Sequence, residues 1–159
     1  MDWMYEITRQ LPKGAFLMVR DNPMTIGWGQ FGVLWGKQTF TVYVRKSRYT
    51  HELLNQSDTF TVSVPACGTL SHELAFCGTK SGRDINKIQN LNASLFANRF
   101  GADDGFKGCK FHIECRILFR SDLDEHHLED AQLMNRYYAG GDAHTMYVGE
   151  ILGVTEETV

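Results

Sequence analysis

The sequence predicts a mainly β protein, an antiparallel barrel with short peripheral helices. Short segments rich in β-branched and aromatic residues recur along the 159 residues. The helical segments between them are mostly too brief to cross over a sheet, as a parallel α/β fold requires. No proline- or serine-rich linker and no repeat interrupts the chain. A single domain over residues 1–159 is therefore expected.

The strand predictions rest on residue alternation. The strongest signals are Gln38–Val44 and Thr59–Val64, in which β-branched and aromatic residues alternate with polar ones. The other predicted strands are Ala15–Val19, Pro23–Trp28, Phe31–Trp35, Phe111–Phe119 and Thr145–Val154. Gly27, Gly29 and Gly32 interrupt the second and third of these, which indicates bends or close backbone approach.

Short helices are predicted between the strands. They are Tyr49–Gln56, Ser71–Cys77 and Asp84–Leu91, with His126–Tyr138 as either a further helix or an irregular excursion. Gly78 is expected to cap the C-terminus of the second helix. Ser47 or Thr50 is expected to cap the N-terminus of the first, and Ser81 or Asp84 that of the third.

Composition excludes several classes of function. A formal net charge of −3 argues against a nucleic-acid-binding protein. No apolar run is long enough for a membrane span, and the first residues lack the order of a signal peptide. The four cysteines have no metal-site spacing and are expected to be buried structural thiols: Cys67, Cys77, Cys109 and Cys115. No metal site is predicted, and a cytoplasmic protein with reduced thiols is expected.

Two segments match nucleotide-binding motifs only in their letters. Gly27–Gly32 fits G-x-G-x-x-G, but a strand rather than a helix follows it, so no helix N-terminus meets a pyrophosphate. Lys80 and Ser81 look like the end of a phosphate loop, but Thr79 stands where that motif requires glycine. Both dinucleotide-fold and NTPase functions are therefore rejected.

Two other segments suit a small anion. Arg45–Thr50 and Thr79–Lys87 each combine hydroxyl groups with basic side chains at a predicted helix start. Exposed N–H groups there attract phosphate, and arginine adds forked, charge-assisted donors. The alternative, a solvated basic surface with ordinary helix caps, is almost as well supported by these residues alone.

Four motifs occur in an order that resembles the flavin reductase-like family of FMN-binding split barrels. They are Asn22–Gly29, Val42–Thr50, Cys77–Asp84 and His144–Ile151. The resemblance covers about residues 13 to 154 and is weak at 92–110 and 121–143. It implies a Greek-key split β-barrel, a homodimer, and one FMN per subunit near the dimer interface.

The resemblance also implies a division of the site residues. The loop along the isoalloxazine edge corresponds to Asn22, Met24, Thr25, Ile26, Gly27 and Trp28. The phosphate-side strand end corresponds to Arg45, Ser47, Arg48 and Thr50, and a second phosphate-side loop to Gly78, Lys80, Ser81 and Lys87. His144 corresponds to a histidine near the flavin and nicotinamide face.

Each role has a structural alternative. For Trp28 and Trp35, packing in the core or at an interface is favoured over stacking on a flavin, and Asn22 is also explained as a turn residue before a proline. His144 is as well explained as a hydrogen-bonded polar neighbour. Glu150, in a strand, is expected to pair with a basic residue such as Arg116.

The activity that the resemblance implies is an FMN-dependent oxidoreductase that takes hydride from NADH or NADPH. Its electrons would pass to free flavin, a metal chelate or a redox partner protein. No nucleophile–base pair is evident, which fits chemistry that the cofactor carries itself. The alternatives are a non-enzymatic FMN-binding electron carrier and, more remotely, a β-barrel ligand-binding protein without a redox role.

Overall fold

The computed structural model describes residues 2–159, which form nine strands and five α-helices. The strands are β1 (Ala15–Val19), β2 (Asn22–Ile26), β3 (Gly29–Leu34), β4 (Lys37–Arg45), β5 (Thr59–Val64), β6 (Leu95–Phe96), β7 (Gly105–Phe106), β8 (Phe111–Asp122) and β9 (His144–Glu156). The helices are α1 (Trp3–Gln10), α2 (Tyr49–Asn55), α3 (Ser71–Thr79), α4 (Lys87–Asn90) and α5 (Ala131–Tyr138). The mainly β prediction is confirmed, with 38% strand and 27% helix.

Seven strands form one antiparallel sheet in the order β2-β1-β5-β8-β9-β4-β3, and β6 pairs with β7 separately. The long strands β8 and β9 pair along most of their length, with register shifts that bend the sheet. In the β4–β9 pair, Arg45 lies opposite His144. This register brings the end of β4 and the start of β9 to the same edge of the site described below.

Strand β1 is buried at all five positions because both of its faces are covered. Leu17 packs with the main core between the sheet halves. Phe16 and Met18 point the other way, into a second core beneath α3. There the rings of Phe16 and Phe106 stack at 4.0 Å between centroids. The β1 segment therefore reads as a continuous apolar run rather than as an alternating one.

Helix α3 departs from the prediction at its C-terminus. It continues through Gly78 to Thr79, and the N–H of Lys80 donates to the carbonyl of Phe76. The prediction of Gly78 as the C-terminal cap is therefore wrong. Two long cationic side chains satisfy the carbonyls of this last turn instead: Lys87 bonds to Cys77, and Arg48 to Gly78.

The predicted N-terminal caps are also wrong. Helix α2 follows Arg48 and has no side-chain cap. The third predicted helix is shorter than expected, because residues 82–84 form a turn and α4 begins only after Asn86, whose side chain accepts from the N–H of Gln89. None of the four residues predicted as caps fills that role: Ser47, Thr50, Ser81 and Asp84.

Helix α1 was not predicted. Asp2 caps it by accepting from the N–H of Met4, and Ile7 is fully buried in the main core. Gln10, also buried, bonds to the carbonyl of Gly14 and the N–H of Gly68. The segment His126–Tyr138 was expected to be either a helix or an irregular excursion. The structure has the 3-10 turn Glu125–His127 there, followed by α5, which Asp130 caps.

The cysteine prediction is confirmed at three positions and wrong at one. Cys77, Cys109 and Cys115 are buried, whereas Cys67 is exposed. All four are free thiols. Burial raises the pKa of the Cys77 thiol to about 11, so this thiol stays protonated at neutral pH.

Glu114 in β8 fixes the loop that follows β6. Its carboxylate, 1% exposed, accepts backbone N–H bonds from Arg99 (2.8 Å), Phe100 (3.0 Å) and Ala102 (3.1 Å). Three donors offset the cost of burying a carboxylate. This one side chain therefore substitutes for a strand partner along the loop.

We predict that Glu114→Gln lowers the free energy of unfolding by about 1–3 kcal/mol, because one acceptor oxygen becomes an NH2 group that cannot accept and the other loses its charge. Urea denaturation measures the change. Glu156→Gln is the matched control: it removes an exposed β9 carboxylate that lies 3.9 Å from Lys110 and is expected to cost under about 0.5 kcal/mol. Equal losses in the two variants would contradict the bracing role of Glu114.

Candidate functional site

Two cavities adjoin at one edge of the sheet. The basic cavity, of about 220 Å³, is lined by Ser47, Arg48, Tyr49, Thr50, Thr79, Lys80, Ser81, Gly82, Arg83 and Lys87. The aromatic cavity, of about 350 Å³, is lined by Met24, Thr25, Ile26, Gly27, Trp28, Tyr43, Arg45, Arg48, Tyr137 and His144. Arg48 lies in the wall of both. One continuous depression thus has a cationic, hydroxyl-rich end and an aromatic end.

Arg48 bridges the two walls of the basic cavity. Its Nη1 donates to the carbonyl oxygen of Gly78 at 3.2 Å. Partial burial lowers the pKa of its guanidinium, but an arginine remains protonated at neutral pH because its ordinary pKa lies so high. A fixed positive charge therefore stands where the two cavities meet. Gly78, predicted to bind cofactor, contributes the carbonyl that holds Arg48.

Lys87 is the buried cation of the basic cavity. It is 3% exposed, and its Nζ donates to the carbonyls of Pro23 (2.8 Å) and Cys77 (3.0 Å). Burial lowers its pKa to about 8. An ammonium has three N–H donors, so one remains for a ligand after these two bonds. Lys87 thus clamps β2 to α3 while keeping a positive charge at neutral pH.

The loop after α3 supplies Lys80, Ser81 and Arg83. Arg83 pairs with Glu52 at 2.6 Å, and its guanidinium lies 5.6 Å from the ring centroid of Tyr49. Ser81 Oγ accepts from the N–H of Arg83 at 3.2 Å. Lys80 has no ion-pair partner within residues 2–159, so it is the basic side chain of this loop that is not already neutralised.

Arg45 and Ser47 hold a neighbouring segment of the chain. Arg45 donates to the carbonyls of Asp142 and Tyr137, each at 2.8 Å. The Asp142 carboxylate accepts from Ser47 N at 3.0 Å and from Ser47 Oγ at 2.5 Å. Asp142 adopts a left-handed φ of 56°, a conformation that aspartate tolerates better than most residues. We call residues 137–142 the latch segment.

The latch segment forms one wall of the aromatic cavity. The ring of Tyr137 meets that of Trp28 edge-on, with centroids 5.1 Å apart. The ring centroids of His144 and Trp28 lie 4.8 Å apart. The Nδ1 atom of His144 is hydrogen-bonded to Tyr138 Oη at 2.9 Å. Burial, with a smaller contribution from Arg45, lowers the pKa of His144 to about 4. This imidazole is therefore uncharged at neutral pH.

Strand β2 supplies the opposite wall. Met24 and Ile26 pack into the main core, and Thr25 Oγ1 donates to the carbonyl of Leu74 at 2.6 Å. Asn22 does not line the aromatic cavity; its Nδ2 donates to the hydroxyl of Thr50 at 3.2 Å. Thr50 is buried at the start of α2. This bond ties β2 to the helix behind the basic cavity.

Trp28 and Trp35, which were also explained as core or interface aromatics, are both exposed. Trp28 is 41% exposed at the aromatic cavity, and Trp35, 59% exposed, packs on Phe119 with ring centroids 5.7 Å apart. Neither belongs to the core.

Gly29, from the rejected dinucleotide motif, is explained by packing, since a Cβ there would lie 2.6 Å from the ring of Phe40. The predicted Glu150–Arg116 pair is confirmed at 2.6 Å.

Over the described part of the chain, residues 2–159, no three His, Cys, Asp or Glu side chains cluster so as to hold a metal ion. Among the helices of that same range, none has both the length and the apolar character to cross a membrane.

A family model described as a flavin reductase like domain matches residues 11–158. The chain belongs to the flavin reductase-like family. An uncharacterized protein of Archaeoglobus fulgidus is 29% identical to it over 148 residues, which are 91% of this chain and 72% of that protein. Family membership confirms the resemblance drawn from the four motifs.

Solved structures with the same fold include two flavin-related proteins. Flavoredoxin from Methanosarcina acetivorans aligns with a TM-score of 0.68 at 22% identity, over 91% of this chain and 68% of that one. An FMN-binding protein from Thermus thermophilus aligns with a TM-score of 0.69 at 24% identity, over 91% and 71%. The antiparallel sheet of this flavin reductase-like chain is thus a split barrel, as predicted.

Several residues of the site were not predicted from the sequence. Tyr43 and Tyr137 line the aromatic cavity, Tyr138 bonds to His144, and Asp142 holds the latch segment. A local signal existed only for Asp142, which follows two glycines in a pattern typical of a turn. Tyr43 and Tyr137 line the cavity together with residues 24–28, which lie far from them in the sequence, so no local pattern indicated their role.

We predict that Asp142→Asn loosens the latch segment, because the substitution replaces a charged acceptor of two hydrogen bonds with a neutral one. Backbone amides of residues 139–144 should exchange hydrogen roughly 10-fold faster, a change of about 1.4 kcal/mol. Hydrogen exchange followed by mass spectrometry measures this. Asp58→Asn, the same substitution at an exposed carboxylate, should leave these rates unchanged; equal rates in both variants would contradict the latch.

Proposed function

We propose that this chain binds FMN with its phosphate in the basic cavity and its isoalloxazine ring in the aromatic cavity. The observation that carries the proposal is the wall that the two cavities share at Arg48. FMN has a dianionic phosphate at one end and a flat aromatic ring at the other. The chain offers cations and hydroxyl groups at one end of the depression and Trp28, Tyr43 and Tyr137 at the other.

The proposed phosphate ligands are the donors that the chain has not already used. Lys80 forms no ion pair within the described residues 2–159, Lys87 keeps one N–H, and Arg48 projects between the cavities. Ser81 and Thr50 add hydroxyl groups. Arg45 and Ser47 act indirectly in this proposal, because their hydrogen bonds go to the latch segment.

The proposed ring site is formed by main chain and aromatic edges. Thr25 to Gly27 line the aromatic cavity where β2 ends, and the main chain there can reach a flat ring closely. Met24 of the same strand also lines this cavity, and Asn22 ties the strand to Thr50. The name of the Thermus thermophilus FMN-binding protein, which shares the fold, is consistent with a flavin in such a site.

We further propose that the protein is an oxidoreductase that uses NADH or NADPH as electron donor. Bound FMN supplies the chemistry, taking up hydride and passing electrons to an acceptor. The chain's part is to hold the ring, keep water from one face and present His144 to the nicotinamide. A Streptomyces globisporus NADH:FAD oxidoreductase of the same fold, with a TM-score of 0.65 at 19% identity, supports this class of activity.

The second candidate is an FMN-binding electron carrier that acts with a redox partner protein. The observation in its favour is that the structural neighbours include flavoredoxins from Methanosarcina acetivorans and Desulfovibrio vulgaris. Steady-state oxidation of NADH and NADPH by the FMN-loaded protein distinguishes the two, because a carrier holds FMN but turns over poorly with either nicotinamide.

A homodimer is part of the proposal. The β3–β4 hairpin exposes Val33 (74%), Leu34 (40%) and Trp35 (59%) beside Phe119. Contiguous exposed apolar residues of this kind mark protein interfaces. Sedimentation equilibrium of the FMN-loaded protein tests this, since a monomeric mass would reject the dimer.

We also propose a cytoplasmic location for this protein, which its four free thiols support.

We predict that Lys80→Ala and Arg48→Ala each weaken FMN binding by about 1.5–3 kcal/mol, through loss of charge-assisted hydrogen bonds to the phosphate. Quenching of flavin fluorescence on titration measures the dissociation constant. Lys37→Ala is the control, because Lys37 pairs with Glu150 on the sheet and lines neither cavity. Unchanged affinity in both cavity variants would reject the phosphate assignment.

We predict that His144→Ala slows anaerobic flavin reduction by NADH or NADPH by about 10-fold or more, through loss of nicotinamide positioning, with little change in FMN affinity. Stopped-flow absorbance follows the reduction. Tyr138→Phe, which removes the hydrogen bond to His144 but keeps the imidazole, is expected to have a smaller effect. A variant that binds FMN poorly but is reduced at the normal rate would contradict this role.

A further inference from the structure

A third cavity lies on the far side of Trp28. Its volume is about 530 Å³, within the roughly 300–1,000 Å³ typical of small-molecule sites. It shares Gly27, Trp28 and Tyr43 with the aromatic cavity. Its remaining walls include Leu11 and Pro12, which follow α1. We call it the α1 cavity. Trp28 and Tyr43 thus separate the proposed ring site from a second space of similar character.

The α1 cavity differs from the basic cavity in charge. Among residues 2–159, nine line it, and none of the nine bears a charge at neutral pH. Burial raises the pKa of Tyr43, so its phenol stays protonated. A phosphorylated or carboxylated ligand would find no cation in this lining, whereas an uncharged one loses little on leaving water.

The wall of the α1 cavity offers an aromatic ring and a polar amide, and both indicate what kind of ligand fits there. Trp28, 41% exposed, offers an indole on which a flat ring can pack. Tyr43 Oη donates to Gln30 Oε1 at 2.5 Å. This bond fixes the Gln30 amide and leaves its Nε2 donors for a carbonyl or hydroxyl oxygen of a ligand.

We infer that the α1 cavity binds a small uncharged aromatic molecule with one oxygen function, such as a phenol or an aromatic aldehyde. The inference rests on the proposed function only for where this molecule lies, which is across Trp28 and Tyr43 from the proposed ring site. Binding itself depends only on residues of this chain: Trp28, Tyr43 and Gln30.

The test uses 2-naphthol, which is neutral at pH 7, and the anion 2-naphthoate as probes. Isothermal titration calorimetry of the flavin-free protein is expected to give at least roughly 10-fold tighter binding of 2-naphthol, since the lining lacks a cation. Equal affinities for the two probes would overturn the inference.

Variants locate the probe. Thr8 lines the cavity, and its hydroxyl bonds only to carbonyls of its own helix, so Thr8→Trp fills the space and should weaken 2-naphthol binding at least 10-fold. Gln30→Ala should weaken it roughly 5-fold by removing the amide donors. Arg9→Trp, equally bulky but outside the cavity, should have no effect. If neither cavity variant alters binding, the site lies elsewhere and the inference fails.

The two proposals fail separately. A protein that takes up no FMN but binds 2-naphthol in a Thr8-dependent manner would reject the proposed function and keep the α1 cavity. One that binds FMN normally but shows no Thr8-dependent binding of 2-naphthol would reject the α1 cavity alone. FMN affinity should be the same in wild type and Thr8→Trp, because Thr8 is not in the lining of either flavin cavity.

Discussion

The hydrogen bond from Arg48 to the carbonyl of Gly78 joins the two halves of the site. Arg48 comes from the junction of β4 and α2, and Gly78 from the last turn of α3. The guanidinium thereby closes the basic cavity and also lines the aromatic one. Within the described residues 2–159, Arg48 is the residue that lines both the cationic end and the aromatic end.

The site uses its cations in two ways. Arg45 and Lys87 donate to backbone carbonyls and hold chain segments in place: Arg45 fixes the latch segment, and Lys87 fixes β2 against α3. Such bonds satisfy buried charge and keep the surrounding walls rigid before any ligand arrives. Lys80 is left for an anion, and Arg48 and Lys87, which keeps one N–H, serve both purposes.

The strands could be predicted because their local pattern agrees with their environment. In β4 and β5, alternation marks the faces that pack on the main core, and the structure keeps both strands where the pattern put them. Gly78 illustrates the opposite case. Glycine there resembled a helix cap, but Lys87 and Arg48 satisfy the last carbonyls from outside the helix, so α3 needs no cap. Such tertiary bonds leave no mark in the local sequence.

Which site residues would bind a ligand and which would hold the chain in place could not be predicted from local sequence either. Arg45 and Ser47 looked like phosphate ligands because both stand at a strand end before a helix. Their partner Asp142 lies 95 residues after Ser47, and only the β4–β9 pairing brings the two together. Helix α1 was missed because little of it is buried: Ile7 and Gln10 alone. The α1 cavity depends on that helix and was therefore equally out of reach.

The most direct test of the account compares the affinity of the flavin-free protein for FMN with that for riboflavin, which lacks the phosphate. If the basic cavity holds the phosphate, FMN should bind about 100-fold or more tighter than riboflavin at neutral pH, since two or more charge-assisted hydrogen bonds are each worth about 1.5–3 kcal/mol. Equal affinities would contradict the account, because a flavin would then be held by its ring alone.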